Sequence, residues 1–303
     1  NYSLTLPIEI REQFVLSIFE VIQSILIFCV DFPDEVYDVL LKCFLNYIQN
    51  GTQIEQFKAL YNLMQIIQQS SIIALLPEIS NLPFQLLLTN DPSLKEIAYK
   101  ILEIYVKLYP KNTDVPGILE AILCEPDSEC SIYASIIGYI AIEFGTNEQI
   151  KTIILSRIPL FLAKSQGNEI QNSNDVNWGN AISALFFIMS AYNEIKKSLF
   201  PQVINSIANL IQAKGTNDDN ISSISKGIEI FSMNDQSLNF KPEVFNPIFI
   251  QIKARLCKEL FVDDNLFELL ELMTNFIKCS DIPEIDSFVY LAIRRFISLM
   301  KSD

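Results

Sequence analysis

The chain has 303 residues, half of them apolar, with 36 acidic against 22 basic side chains, a formal net charge of −14 and no histidine. That apolar share excludes a disordered chain, which needs low hydrophobicity. Without histidine, Ser-His-Asp and Cys-His catalysis, two-His zinc sites and haem on a proximal histidine cannot be built.

Helical periodicity runs through the whole length, and strand alternation is almost absent. The spacing predicts helices over 8–30, 34–50, 53–69, 72–88, 92–108, 115–124, 128–144, 148–164, 176–192, 194–213, 219–232, 242–261, 264–278 and 283–300. Their connections are short and rich in Asn, Asp, Gly and Pro. The longest break, 165–175, is polar and without period, and reads as a loop. The most apolar stretch, Phe14 to Val30, is interrupted by Glu20 and Gln23. It falls short of the roughly 20 mostly apolar residues of a membrane span, so no membrane insertion is expected.

Two series of positions repeat. In the first, the helix-starting residues Gln53, Asp91, Asp127, Asp175, Asp218 and Asp263 stand 36 to 48 residues apart. Six residues on from each are Ala59, Ile97, Tyr133, Ala181, Ile224 and Leu269. Ten residues on are Leu63, Ile101, Ile137, Leu185, Ile228 and Met273. Fourteen on are Ile67, Tyr105, Ala141, Met189, Ser232 and Ile277. Steps of four mark one buried helical face. Small residues at the seventh place, Ala98, Ala134 and Ser225, leave room for a neighbouring helix. The Asp starts suit the positive end of a helix. In the second series Pro77, Pro116, Pro159, Pro201, Pro247 and Pro283 are expected to open their helices or lie in the first turn. Trp178 falls in the first series three residues on and reads as core.

A polar-capped helix with small core residues, as in DPSLKEIAYKIL, followed by VPGILEAIL or IPLFLAKS, resembles armadillo and HEAT repeats. The resemblance covers about Gln53 to Met300. It implies an all-α, right-handed α-α superhelix of about seven helix pairs in a single domain over 1–303. Residues 1–50 would be N-terminal capping helices and 51–303 the irregular repeats. One pair of helices cannot bury both apolar faces, whereas stacked pairs can, and terminal units need a polar outer side.

Candidate chemistry is sparse. Neither phosphate-binding glycine loop is present, and neither is the G-x-S-x-G elbow. No cofactor and no metal are implied. The paired carboxylates, such as Asp218–Asp219 and Asp263–Asp264, sit at helix starts, where the dipole stabilises them, rather than across a cleft. Cys29, Cys43, Cys124, Cys130, Cys257 and Cys279 form no C-x-x-C pair and read as reduced, buried apolar residues of an intracellular protein, cytoplasmic or nucleocytoplasmic.

Charge is more informative. Residues 1–150 hold 19 acidic and 7 basic side chains, net −12, and 151–303 hold 17 and 15, net −2. The acidic half repels nucleic acid. Basic clusters gather later: Lys196 with Lys197, Lys253 with Arg255 and Lys258, and Arg294 with Arg295. Asn205 and Asn209, four apart, share one helix side. In armadillo proteins, asparagines on the last helix of a repeat clamp an extended peptide, which is what the resemblance implies for this pair.

The expected function is a non-catalytic protein–protein scaffold or adaptor. Partner segments would lie along the groove of the second helices, near Lys197, Asn205, Asn209, Lys253, Arg255 and Arg294. Two alternatives stand beside it. One is a nuclear-transport-type receptor, similar in repeat type and acidity. The other is an enzyme using carboxylate or Lys chemistry.

Overall fold

The computed structural model describes residues 8–28, 32–89, 91–126, 130–166, 178–212 and 218–234, and beyond them only 247–248, 250–251, 274, 290 and 293–294. The described residues contain helices and no strand. The expected helices over 242–261, 264–278 and 283–300 lie outside the described residues apart from those few positions, as does the loop at 167–175. The chain divides into two compact units, Asn1–Ala121 and Ile122–Asp303.

The first unit holds α1 (Ile8–Phe28), α2 (Asp34–Asn50), α3 (Gln53–Gln69), the short α4 (Ser71–Ala74), α5 (Pro77–Ser80) and α6 (Leu82–Leu87), and then α7 (Pro92–Leu108). After a 3-10 turn at Pro110–Asn112 comes α8 (Val115–Cys124), which runs on past the division. The single helix expected over 72–88 is instead three short ones. Pro77 opens α5, and Leu76 before it is extended, as the residue before a proline prefers, which ends the helical run there.

Local caps set where the long helices begin. Thr52 and Glu55 form a reciprocal capping box at the start of α3, the Glu55 N–H donating to Thr52 Oγ1 and the Thr52 N–H to Glu55 Oε2. Asp91 accepts from the Ser93 and Leu94 amides at the start of α7.

Polar ties reveal the packing register. The Arg11 guanidinium meets Glu55 at 2.9 Å, and Thr52 Oγ1 donates to Glu12 at 2.7 Å. At the far end, the Gln69 amide donates to the Leu26 carbonyl. Starts meet starts and ends meet ends, so α1 and α3 run parallel, 40 to 44 residues apart in sequence. α3 and α7 do the same: Gln53 donates to Asp91 at 2.9 Å, and the Tyr109 hydroxyl to the Ile67 carbonyl at 2.6 Å. Gln53 and Asp91 are two of the helix starts aligned from sequence, and here they touch.

The second unit holds α9 (Cys130–Phe144), α10 (Glu148–Gln166), α11 (Trp178–Ala191), α12 (Asn193–Gln212) and α13 (Asp218–Asn234). α11 packs between α9 and α13, and α10 packs on α9, α11 and α12. Rings cross these joints: Tyr139 to Phe187 at 5.0 Å and Phe186 to Phe231 at 5.5 Å. α10 and α12 are parallel too, tied by Lys151–Glu194 at 2.7 Å near their starts and by the Ser165 and Ser206 hydroxyls at 3.1 Å further on.

The repeat positions fall inside this packing. At the sixth, tenth, fourteenth and seventh places, every residue whose burial is described is buried, from Ala59 and Leu63 to Ser225 and Ile228. The side chains of Trp178 and Ser232 lie outside the described residues. Glycine allows the closest approaches. A Cβ on Gly138 would collide with Phe187, and one on Gly227 would stand 2.8 Å from the Ser183 Cα.

Three expectations need correction. Pro159 and Pro201 lie inside α10 and α12, well past the first turn. Lys196 is buried, its ammonium 5.7 Å from the Phe231 ring centre. Cys124 is exposed at the end of α8, while Cys130 is buried and Cys43 half-buried, and none of the three is in a disulfide.

Two outcomes follow from this packing. Gly227→Ala adds about 1 kcal/mol of helix propensity but overpacks a backbone contact at a cost of roughly 1–3 kcal/mol. The Ser183 Cα cannot swing away, so the steric cost wins and the thermal midpoint falls. The second outcome is alkaline. Burial, with Glu194 and Glu148 nearby, pushes the Tyr192 phenol up to about 12, and burial raises Tyr105 as well. A raised phenol stabilises the fold below its unfolded value of about 10 and loses that contribution as pH climbs through the folded value. Helical circular dichroism and the tyrosinate absorbance of these buried rings should therefore change together above pH 10. Full ionisation near pH 10 with unchanged helicity would contradict the burial.

Candidate functional site

The in-register pair α10 and α12 presents one solvent side built from Thr152, Ser156 and Pro159 on α10 and Lys197, Ser198, Pro201, Gln202, Asn205 and Asn209 on α12. Residues three and four apart share a helix side, so these positions make two neighbouring rows. Their inner faces supply the anchoring. Ile154 and Phe161 of α10 and Phe200, Val203, Ile204 and Ile207 of α12 are buried.

Pro159 and Pro201 give the rows their chemistry. A proline inside a helix has no N–H, so the carbonyl four residues earlier loses its helical donor. Those carbonyls belong to Leu155 and Lys197. Both prolines are exposed, so the freed acceptors lie on the watered side of their helices. The two prolines are 42 residues apart, within the 41- and 43-residue offsets of the ties that align the helices. The gaps in the two ladders therefore fall side by side. Four polar side chains in the rows fold back on their own helices: Thr152 donates to the Glu148 carbonyl at 2.8 Å, Ser156 to Ile153 at 2.6 Å, Ser198 to Ile195 at 3.0 Å and Gln202 to Ser198 at 2.9 Å.

Electrostatics are concentrated at the start of the rows. Lys151 pairs with Glu194 and lies 5.4 Å over the Tyr192 ring. The pair raises the Lys151 ammonium and lowers the Glu194 carboxyl from their ordinary values. The Tyr192 hydroxyl is buried with no hydrogen-bond partner among the described residues.

The sequence-named residues divide accordingly. Lys197, Asn205 and Asn209 stand exposed on one side of α12, and Arg294 is exposed. Lys253 and Arg255 lie outside the described residues. The aligned proline gaps were missed, although the 42-residue spacing of Pro159 and Pro201 was visible.

A cleft of about 440 Å³ opens in the first unit among Phe84, Gln85, Leu88, Tyr105, Asn112 and Asp114. Among the described residues lining it, Asp114 is the one carboxylate, and its Oδ1 accepts from the Gly117 amide at 3.1 Å. Among the described residues no cluster of three or more Cys, Asp or Glu could hold a metal ion, and no helix is long and apolar enough to cross a membrane. No protein-family model matches the chain, and no curated protein matches it in sequence.

The proline gaps make a stability prediction. A helix-interior proline costs about 3 kcal/mol relative to alanine. Pro201→Ala restores the donor to the Lys197 carbonyl on an exposed side, so the melting temperature rises. A fall in melting temperature would show that Pro201 packs rather than merely interrupting the ladder.

Proposed function

We propose that the chain is a non-catalytic interaction scaffold, an armadillo/HEAT-like right-handed solenoid that holds partner segments along the exposed side of its second helices. The observation that carries this reading is the parallel, in-register pairing of α10 and α12, with two ladder gaps side by side next to Asn205 and Asn209. An extended segment has unpaired backbone N–H and C=O groups along its length. Its N–H groups can donate to the Leu155 and Lys197 carbonyls, and the asparagine amides both donate and accept. The Lys197 ammonium favours a segment with a carboxylate nearby. Successive parallel helices at offsets near 40 residues support the solenoid, since stacking repeats is how such helices bury a continuous core.

The test is affinity capture from lysate with the natural chain and with Lys197→Glu/Asn205→Ala/Asn209→Ala. These side chains are exposed, so the triple variant keeps its helicity. Proteins captured by the natural chain should be depleted about tenfold or more with the variant, equivalent to about 1.4 kcal/mol or more of binding. An identical captured set would remove this surface from the function.

A further inference from the structure

The longest apolar stretch of the chain serves two faces. One side of α1 is core: Val15, Phe19 and Leu26 are buried, with Phe19 against Phe44 at 5.7 Å and Tyr47 at 5.2 Å. The other side is just as apolar and faces out. Ile10, Phe14, Ile18, Val21, Ile25 and Phe28 are 39 to 84% exposed. Their steps of 4, 4, 3, 4 and 3 residues make one continuous stripe, and the last five follow the alternation of a two-helix seam. At about 1.5 Å per residue the stripe runs on the order of 27 Å.

The six stripe residues are themselves uncharged, and the exposed row beside them is Gln13, Ser17, Glu20 and Ser24. Its two serines turn their hydroxyls back to the Gln13 and Glu20 carbonyls at 2.9 Å. A serine bonded to its own helix puts no unmet donor into an apolar contact. Exposed apolar surface this continuous marks an interaction site.

The α1–α3–α7 stack indicates how the stripe is used. α3 has a parallel helix on either side of it, α1 and α7. α1 has α3 on one side and the apolar stripe facing outward. Charge selects the kind of partner the stripe suits. A second copy would bring its own −14, most of it in the acidic half that contains α1, and like charge opposes that pairing. A basic partner is attracted by the same field.

We propose that the outward stripe of α1 is a docking site for an amphipathic helix of a partner protein, apolar along its seam and basic along its flanks. This surface is separate from the α10–α12 rows, so neither reading depends on the other.

The test uses two synthetic 21-residue helices with the same Leu/Ile seam, one flanked by Lys and Arg and one by Glu, titrated against the full chain by fluorescence anisotropy at low salt. The basic-flanked peptide should saturate and bind at least about tenfold tighter than the acidic one, with the difference shrinking as salt is raised. Ile18→Ser/Val21→Ser/Ile25→Ser should weaken it about tenfold or more through lost apolar contact, with unchanged circular dichroism. Val21→Lys, which sets a like charge in the seam, should weaken it as well. Lys197→Glu on α12 should leave it unchanged. The proposal is overturned if neither peptide saturates, if both bind equally, or if the serine variant binds as well as the natural chain. It is also overturned if sedimentation shows a dimer that the serine variant dissolves, or if zwitterionic phospholipid vesicles are bound through the same residues.

Discussion

A helix such as α11 is apolar all the way round, and no single neighbour can hide it. Every residue from Ala181 through Met189 is buried. Burial on that scale requires helices on several sides at once, and α9, α10, α12 and α13 supply them. The same demand recurs at α3, which α1, α2 and α7 enclose. Parallel pairing of helices about 40 residues apart in sequence helps meet this demand. The small residues follow from it: Ala59, Ala98, Ala134, Gly138 and Gly227 stand where neighbouring helices come closest or where bulk would part them.

Polar groups fix the register that apolar burial leaves loose. An apolar face can slide by a turn at modest cost, but a buried carboxylate cannot. Glu55 is fully buried and gives one oxygen to both Arg11 and the Thr52 amide, while the Thr52 hydroxyl reaches Glu12. Its second oxygen has no partner among the described residues, so the arrangement secures position rather than adding much stability. Lys151–Glu194 and Ser165–Ser206 act likewise between α10 and α12. That register is what places the Pro159 and Pro201 gaps beside each other. The layout of this surface is thus a consequence of how the helices are aligned.

The buried positions were legible in the sequence because burial has a period. Leu63, Ile101, Ile137, Leu185 and Ile228 share one place in the pattern and all are buried. The touching pair Gln53 and Asp91 was legible as two aligned starts. What failed were inferences from a residue's type without its angular position. Pro159 and Pro201 were expected at helix starts because proline is tolerated there, yet an exposed interior position also tolerates it, since water can meet the freed carbonyl. Lys196 was grouped with Lys197, but adjacent helical residues point about 100° apart, and one is buried while the other is exposed. The apolar run at Phe14 hid two faces, one for the core and one for solvent.

The central claim is that helices about 40 residues apart in sequence run parallel, and it is most directly tested by two distances. Spin labels on unnatural keto side chains, which leave the six cysteines in place, can be set at Thr152 with Ser198 and at Thr152 with Asn209, all exposed positions. Parallel α10 and α12 at the usual helix spacing make the Thr152–Ser198 distance shorter by more than about 10 Å. An antiparallel hairpin would reverse the order, leaving Thr152 nearer to Asn209, and that result would contradict the account.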